Sequence, residues 1–112
     1  MHEGRRDVSA YERVRSVDSS LEYTGETFKT WPVYVDSVYT NGEKSILKTW
    51  KSYRRFGRKE IGFLQTLQGI RGVPRLIKFN TSFNGTVWEV REYIEGEDFF
   101  ERARSDGDHQ KL

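Results

Sequence analysis

The chain has no cysteine, only two prolines and one methionine, and its two histidines, His2 and His109, sit near its ends. Lack of cysteine excludes a disulfide framework and thiolate metal sites, and fits a reducing, cytoplasmic setting. With no imidazole in the body of the chain, a histidine-based zinc or acid–base site is not expected. No apolar run approaches the ~18 residues of a membrane span, and no apolar stretch follows Met1-His-Glu-Gly-Arg-Arg as a signal peptide requires. A strong excess of one charge is also missing. The formal net charge is +2, too small by itself to identify a nucleic-acid binder.

What remains is a chain of 112 residues, a length that supports one domain with one core. Hydrophobic residues make up 35% and charged residues 32%, so the core must be economical and the surface densely charged. Aromatics reach 14% and favour a sheet, where flat side chains pack well on a pleated face.

Residues 1–20 are polar and mixed in charge, and read as an N-terminal extension. Val8, Tyr11, Val14 and Val17 fall at helical spacing, so a short amphipathic helix over 8–17 competes with a partly ordered segment. A domain over 21–104 follows, and 105–112 reads as a flexible tail. Val33, Tyr34, Val35, Val38 and Tyr39 form a β-rich run ending at Asn41-Gly42, the dipeptide of a two-residue type I′ hairpin. Its return strand runs from Glu43 to Trp50. A second Asn-Gly, Asn84-Gly85, separates Arg75–Phe83 from Thr86–Ile94 in the same strand–turn–strand pattern.

Between the hairpins lies one strong helical segment, about Tyr53 to Gln68, with Phe56, Glu60, Leu64 and Leu67 along one stripe. Gly57 costs about 1 kcal/mol against alanine, which favours a start after it. Gly69 to Pro74 ends the helix, glycine suiting the cap and proline unable to continue the ladder. Past Gly96, Asp98 is placed to cap a short helix through Phe99, Phe100 and Arg104. The expected fold is α+β, a five-stranded antiparallel sheet with one packed helix.

Two charges sit where apolar residues are expected. Glu60 shares its stripe with Phe56 and Leu64, and Lys48 alternates onto one strand face with Ile46 and Trp50. A carboxylate buried without a partner costs several kcal/mol. Either Lys48 and Glu60 pair, or both side chains snorkel to water.

Four segments in order extend the pattern: Ser45-Ile46-Leu47-Lys48, then Arg58 to Leu67 around Glu60, then Gly72 to Ile77, then Arg91-Glu92-Tyr93-Ile94-Glu95-Gly96. Together they resemble the nucleotide-binding (N-terminal) lobe of a protein kinase over roughly residues 24–102. The likeness is strongest to small prokaryotic or viral kinases related to the RIO and lipopolysaccharide-sugar kinases. The resemblance implies that Lys48 contacts nucleotide phosphates and pairs with Glu60. It implies that Val33 and Ile46 sandwich adenine, that Glu92, Tyr93 and Ile94 offer hinge backbone groups, and that Asp98 bonds the ribose.

The departures are as informative. The loop expected to cradle phosphate, Thr24 to Pro32, holds one glycine, with Phe28, Trp31 and Pro32 in it. Arg91 stands where such kinases place a small or apolar side chain, and would fill the pocket or reach Glu60. No His-Arg-Asp or Asp-Phe-Gly sequence occurs, and Leu112 is reached where a kinase enters its catalytic lobe. The resemblance therefore implies weak or vestigial ATP binding, with Mg2+ only if a catalytic lobe is supplied in trans, and no phosphoryl transfer by this chain alone. Half of a split kinase and a pseudokinase-like regulator are the leading expectations. An adaptor or inhibitor mimicking a lobe is the alternative. Each implies a protein partner (a catalytic lobe or a kinase) or self-association through a face including Tyr93, Phe99 and Phe100.

A further reading competes with these. Lys48, Lys51, Arg54, Arg55, Arg58 and Lys59 interleave with Trp50, Tyr53 and Phe56. That pattern suits an RNA or other polyanion surface. It equally suits a solvated helix face whose aromatics are core.

Overall fold

The computed structural model describes the backbone of residues 2–94 and the side chains of residues 9–94. Five strands form one antiparallel sheet: β1 (Glu22–Lys29), β2 (Tyr34–Thr40), β3 (Glu43–Trp50), β4 (Leu76–Asn80) and β5 (Val87–Glu92). Helix α1 (His2–Val17) precedes β1, and α2 (Arg54–Leu67) joins β3 to β4. The order across the sheet is β1-β2-β3-β5-β4, and the three interior strands carry the most buried positions.

Strand alternation sends successive side chains to opposite faces, and each face finds its own helix. Ala10 and Val14 of α1 join Leu21, Tyr23, Val38, Leu47 and Val90 in one apolar cluster. Ile61 of α2 joins Val33, Trp50 and Val87 in the other. The sheet is thus covered by two helices rather than the single one expected. The α1 contribution was hard to read because its core line is short. Ala10, Val14 and Val17 form it, while Tyr11 stays partly in water and meets the edge of the Tyr23 ring at 4.9 Å. An ion pair fixes the helix to that face. Arg13 donates two hydrogen bonds to the fully buried Asp36, at 2.6 and 3.2 Å. Thr27 Oγ1 adds a third donor to the same carboxylate at 2.6 Å.

The first hairpin follows its dipeptide. Asn41 and Gly42 have φ of 52° and 81°, the left-handed pair a type I′ turn requires, and Thr40 faces Glu43 across it. The second does not. The chain leaves β4 at Asn80 and re-enters β5 at Val87, and of Asn84 and Gly85 only the glycine has positive φ. Asn80 accounts for the longer loop: its Nδ2 donates to Thr86 O and its Oδ1 accepts from Ser82 N–H, turning the chain early.

Helix α2 runs through Gly57 instead of starting after it. A Cβ at that position would lie 2.5 Å from the Trp50 ring, so glycine is what lets the helix settle onto β3. The buried line is Gly57, Ile61 and Leu64, one position round from the expected stripe, and Phe56 points outward at 62% exposure. Gln68 anchors the far end, donating to Leu64 O and Pro74 O and accepting from Leu76 N–H. Among the described residues no helix is long and apolar enough to cross a membrane.

Candidate functional site

The face under α2 carries more charge than its burial should tolerate. Lys48 lies directly across from Glu89 in the β3–β5 register, and Ile46 across from Arg91, so Lys48, Glu89 and Arg91 share one face. Helix α2 lays Glu60 over them, and Lys48 Nζ donates to Glu60 Oε1 at 2.7 Å. The strand-to-helix pair expected from the two misplaced charges is therefore present. Lys48 Nζ also stands 5.1 Å from the Trp50 ring centroid, a second attraction holding it under the helix.

Glu89 is the member that sequence reasoning did not single out. It is fully buried. Its signal was the alternation Val87-Glu89-Arg91 on one face against Trp88-Val90 on the other, legible only once the pairing with Lys48 is known. If both carboxylates were ionised, neither Glu89 oxygen nor Glu60 Oε2 would have a donor among the described residues. A proton between the two carboxyls satisfies Glu60 and one Glu89 oxygen. Burial, reinforced by the neighbouring Glu60, pushes the Glu89 carboxyl up to about 8, so at neutral pH it is an acid that donates to Glu60.

The consequences spread through the cluster. Burial by itself would raise Glu60, but the Glu89 hydrogen bond and the Lys48 charge outweigh it and hold that carboxyl below its ordinary value. Burial lowers Lys48 from the usual amine range, partly offset by Glu60, with Arg91 adding like-charge repulsion. Two cations, one carboxylate and one carboxylic acid leave the cluster net positive at neutral pH.

The other anticipated nucleotide contacts assemble less well. Val33 packs at the Trp50 end of β3, whereas Ile46 pairs with Ser37. Four residues of strand between Trp50 and Ile46 span about 13 Å, too far for both side chains to grip one ring. Val35, beside Lys48, and Ser37, beside Ile46, occupy the positions that Val33 was expected to fill. Both are buried. Glu92 is engaged by the residue preceding β4: its N–H donates to Arg75 O and its carboxylate accepts from Arg75 N–H, each at 2.9 Å. Tyr93 is half-buried with Lys44 Nζ 4.3 Å from its ring centroid, and Ile94 is half-buried after the strand end. Asp98, Phe99 and Phe100, together with the tail 105–112, lie outside the described residues.

Between β1 and β2, residues 30–33 make a short link, and Gly25, the lone glycine of the anticipated phosphate loop, sits earlier, within β1, at φ of 102°. Among the described residues no group of three acidic, histidine or cysteine side chains is placed to hold a metal ion. The chain matches no protein-family model, no curated protein and no solved structure.

Proposed function

We propose that this domain is a kinase-lobe-like regulator, a pseudokinase-type module that holds nucleotide weakly and acts in the cytoplasm by engaging a second protein. The observation that carries the reading is the Lys48–Glu60 pair, closed at 2.7 Å between the third strand and the helix that follows it. In a kinase lobe the same two residue types, on the same two elements, set the active geometry. The strand order, with the helix inserted between β3 and β4, supports the same assignment.

Regulation is favoured over catalysis because Glu89 and Arg91 crowd the pair. Lys48 is already held by Glu60 and buried beneath α2, so it has little reserve for nucleotide phosphates. The sequence holds no catalytic-loop aspartate in a His-Arg-Asp setting and no Asp-Phe-Gly metal ligand. These residues, then, do not transfer phosphoryl groups alone, and Mg2+ enters only with a catalytic lobe contributed by another segment or chain. A split kinase is the second reading, favoured by the intact Lys48–Glu60 geometry.

Titrating the purified chain with ATP, with and without Mg2+, and comparing Lys48→Ala tests the proposal. The expected result is affinity weaker than about 0.1 mM that falls further in the variant, and no incorporation of labelled phosphate. Nucleotide binding of equal strength in parent and Lys48→Ala would remove the basis of the reading. Labelled phosphate incorporation dependent on Lys48 would replace the regulator with an enzyme.

A further inference from the structure

One end of the sheet collects exposed cations and aromatics. The register that pairs Tyr34 with Thr49 and Trp50 with Val87 brings the β1–β2 link, the start of α2 and the β4–β5 loop to that end. Trp31, Tyr53, Phe56 and Phe83 are 72%, 53%, 62% and 81% exposed there. Lys29, Lys51, Arg54, Arg55, Arg58 and Lys59 stand among them. The pieces are tied together: the Arg58 guanidinium lies 4.4 Å from the Phe83 ring centroid, and Arg54 donates to Gly85 O at 3.0 Å.

Beyond these contacts, and Lys51 Nζ at 5.6 Å from the Tyr34 ring centroid, the fold gives neither set of side chains an evident task. Core aromatics were the bland explanation for this stretch, and of its three only Trp50 is buried. None of the six cations at this end takes part in the ion pairs made by Arg13, Lys48, Arg75 and Lys78. Residues 50–59 contain no acid, and α2 opens with Arg54 and Arg55 where the helix dipole favours carboxylates. Folding alone would select against that arrangement. Beside it a groove of about 340 Å³ runs between the end of α1 and the β4–β5 loop, lined by Ser16, Lys51, Asn84, Thr86 and Trp88.

We propose that this end of the domain binds single-stranded nucleic acid. The cations meet successive phosphates, and the exposed rings of Tyr53, Phe56 and Phe83 receive bases by stacking, which every base tolerates because every base has a flat face. The polar groove beside Lys51 accepts one further nucleotide. An acidic protein would satisfy the charge but not the spacing. Tyr53 and Phe56 meet at 6.2 Å between ring centroids, but Arg58 covers one side of Phe83, so cations interrupt the rings and they form no continuous apolar centre of the kind protein interfaces bury. The surface is distinct from the Lys48–Glu60 cluster and from the strand end at Glu92, so it stands or falls independently of the regulator reading.

Fluorescence anisotropy of the full chain with labelled oligo-U and oligo-dT, across a salt series, tests this. Binding is expected with a slope of log K against log salt between about −2 and −4, as three to five phosphate contacts give on a single strand. Arg54→Glu with Arg58→Glu should weaken it at least about tenfold. Phe56→Ala and Phe83→Ala should each weaken it about fivefold or more at unchanged salt slope, the signature of lost stacking. A charge-matched control, Lys44→Glu with Arg71→Glu, should stay within about twofold of the parent. These side chains are all outside the core, and circular dichroism of each variant checks that the fold is kept. No binding at low salt, an equal loss in the control, or indifference to both aromatic substitutions would overturn the proposal. Poly-glutamate binding as tight as oligo-U would assign the surface to an acidic protein instead.

Discussion

Replacing Glu89 by glutamine isolates the proton that the buried cluster needs. The carboxyl moves from 4.5 to about 8 on folding, chiefly by burial. Between those values the folded chain holds a proton that the unfolded chain has lost, so stability must fall as pH rises through the window and level off above about pH 8. At about 1.4 kcal/mol per pH unit the whole interval carries about 5 kcal/mol. Sharing of the proton with Glu60 spreads that change over a wider range, leaving an expected fall of about 2–3 kcal/mol between pH 5 and pH 8. Glu60, held low, loses its own contribution only as pH drops below the ordinary carboxylate range. Glutamine keeps an N–H to donate to Glu60 and cannot ionise. Urea unfolding at pH 5, 6.5 and 8 should therefore give a nearly flat profile for Glu89→Gln. The variant should exceed the parent by about 2 kcal/mol at pH 8 and match it within about 1 kcal/mol at pH 5. The two histidines are common to both proteins and cancel in the difference. A parent whose stability is constant or rises from pH 5 to pH 8, or a variant retaining the parent's slope, would refute the protonated Glu89.

Gly57→Ala gains about 1 kcal/mol of helix propensity but drives a methyl into the Trp50 ring, so denaturant unfolding should register a net loss of about 1–2 kcal/mol. Asp36→Ala leaves the Arg13 guanidinium buried against the sheet without its partner. A loss of about 3–5 kcal/mol is expected, with amides of α1 exchanging far faster in hydrogen-exchange measurements. Helix α2 offers a paired comparison: Ile61→Ala should cost about 2–5 kcal/mol, while Phe56→Ser, on the outward face, should stay within about 0.5 kcal/mol. Equal losses for the two would place the helix in the wrong rotation.

The sequence by itself determined the local elements. Asn41-Gly42 specified a type I′ turn because few dipeptides accept two left-handed residues in succession, and the strands flanking it follow from alternation. Lys48 and Glu60 announced their pairing because a lone charge on an apolar face needs a partner, and strand and helix periods put each of them on such a face. Tertiary structure decided what periodicity cannot encode. The rotation of α2 was set by the Trp50 ring resting on Gly57, a contact between elements that turned the helix one position from its most apolar stripe and left Phe56 outside. The second Asn-Gly yielded to Asn80, whose side chain turned the chain before the dipeptide was reached. Helix α1 was obscured because Ala10 and Val14 become core residues only when β1 and β2 supply the opposite wall and Asp36 supplies an anchor for Arg13. Glu89 was the least legible of all. A glutamate in a strand reads as a surface residue until the sheet places it beside Lys48 and beneath Glu60, where low dielectric and a neighbouring carboxylate make protonation the cheaper state.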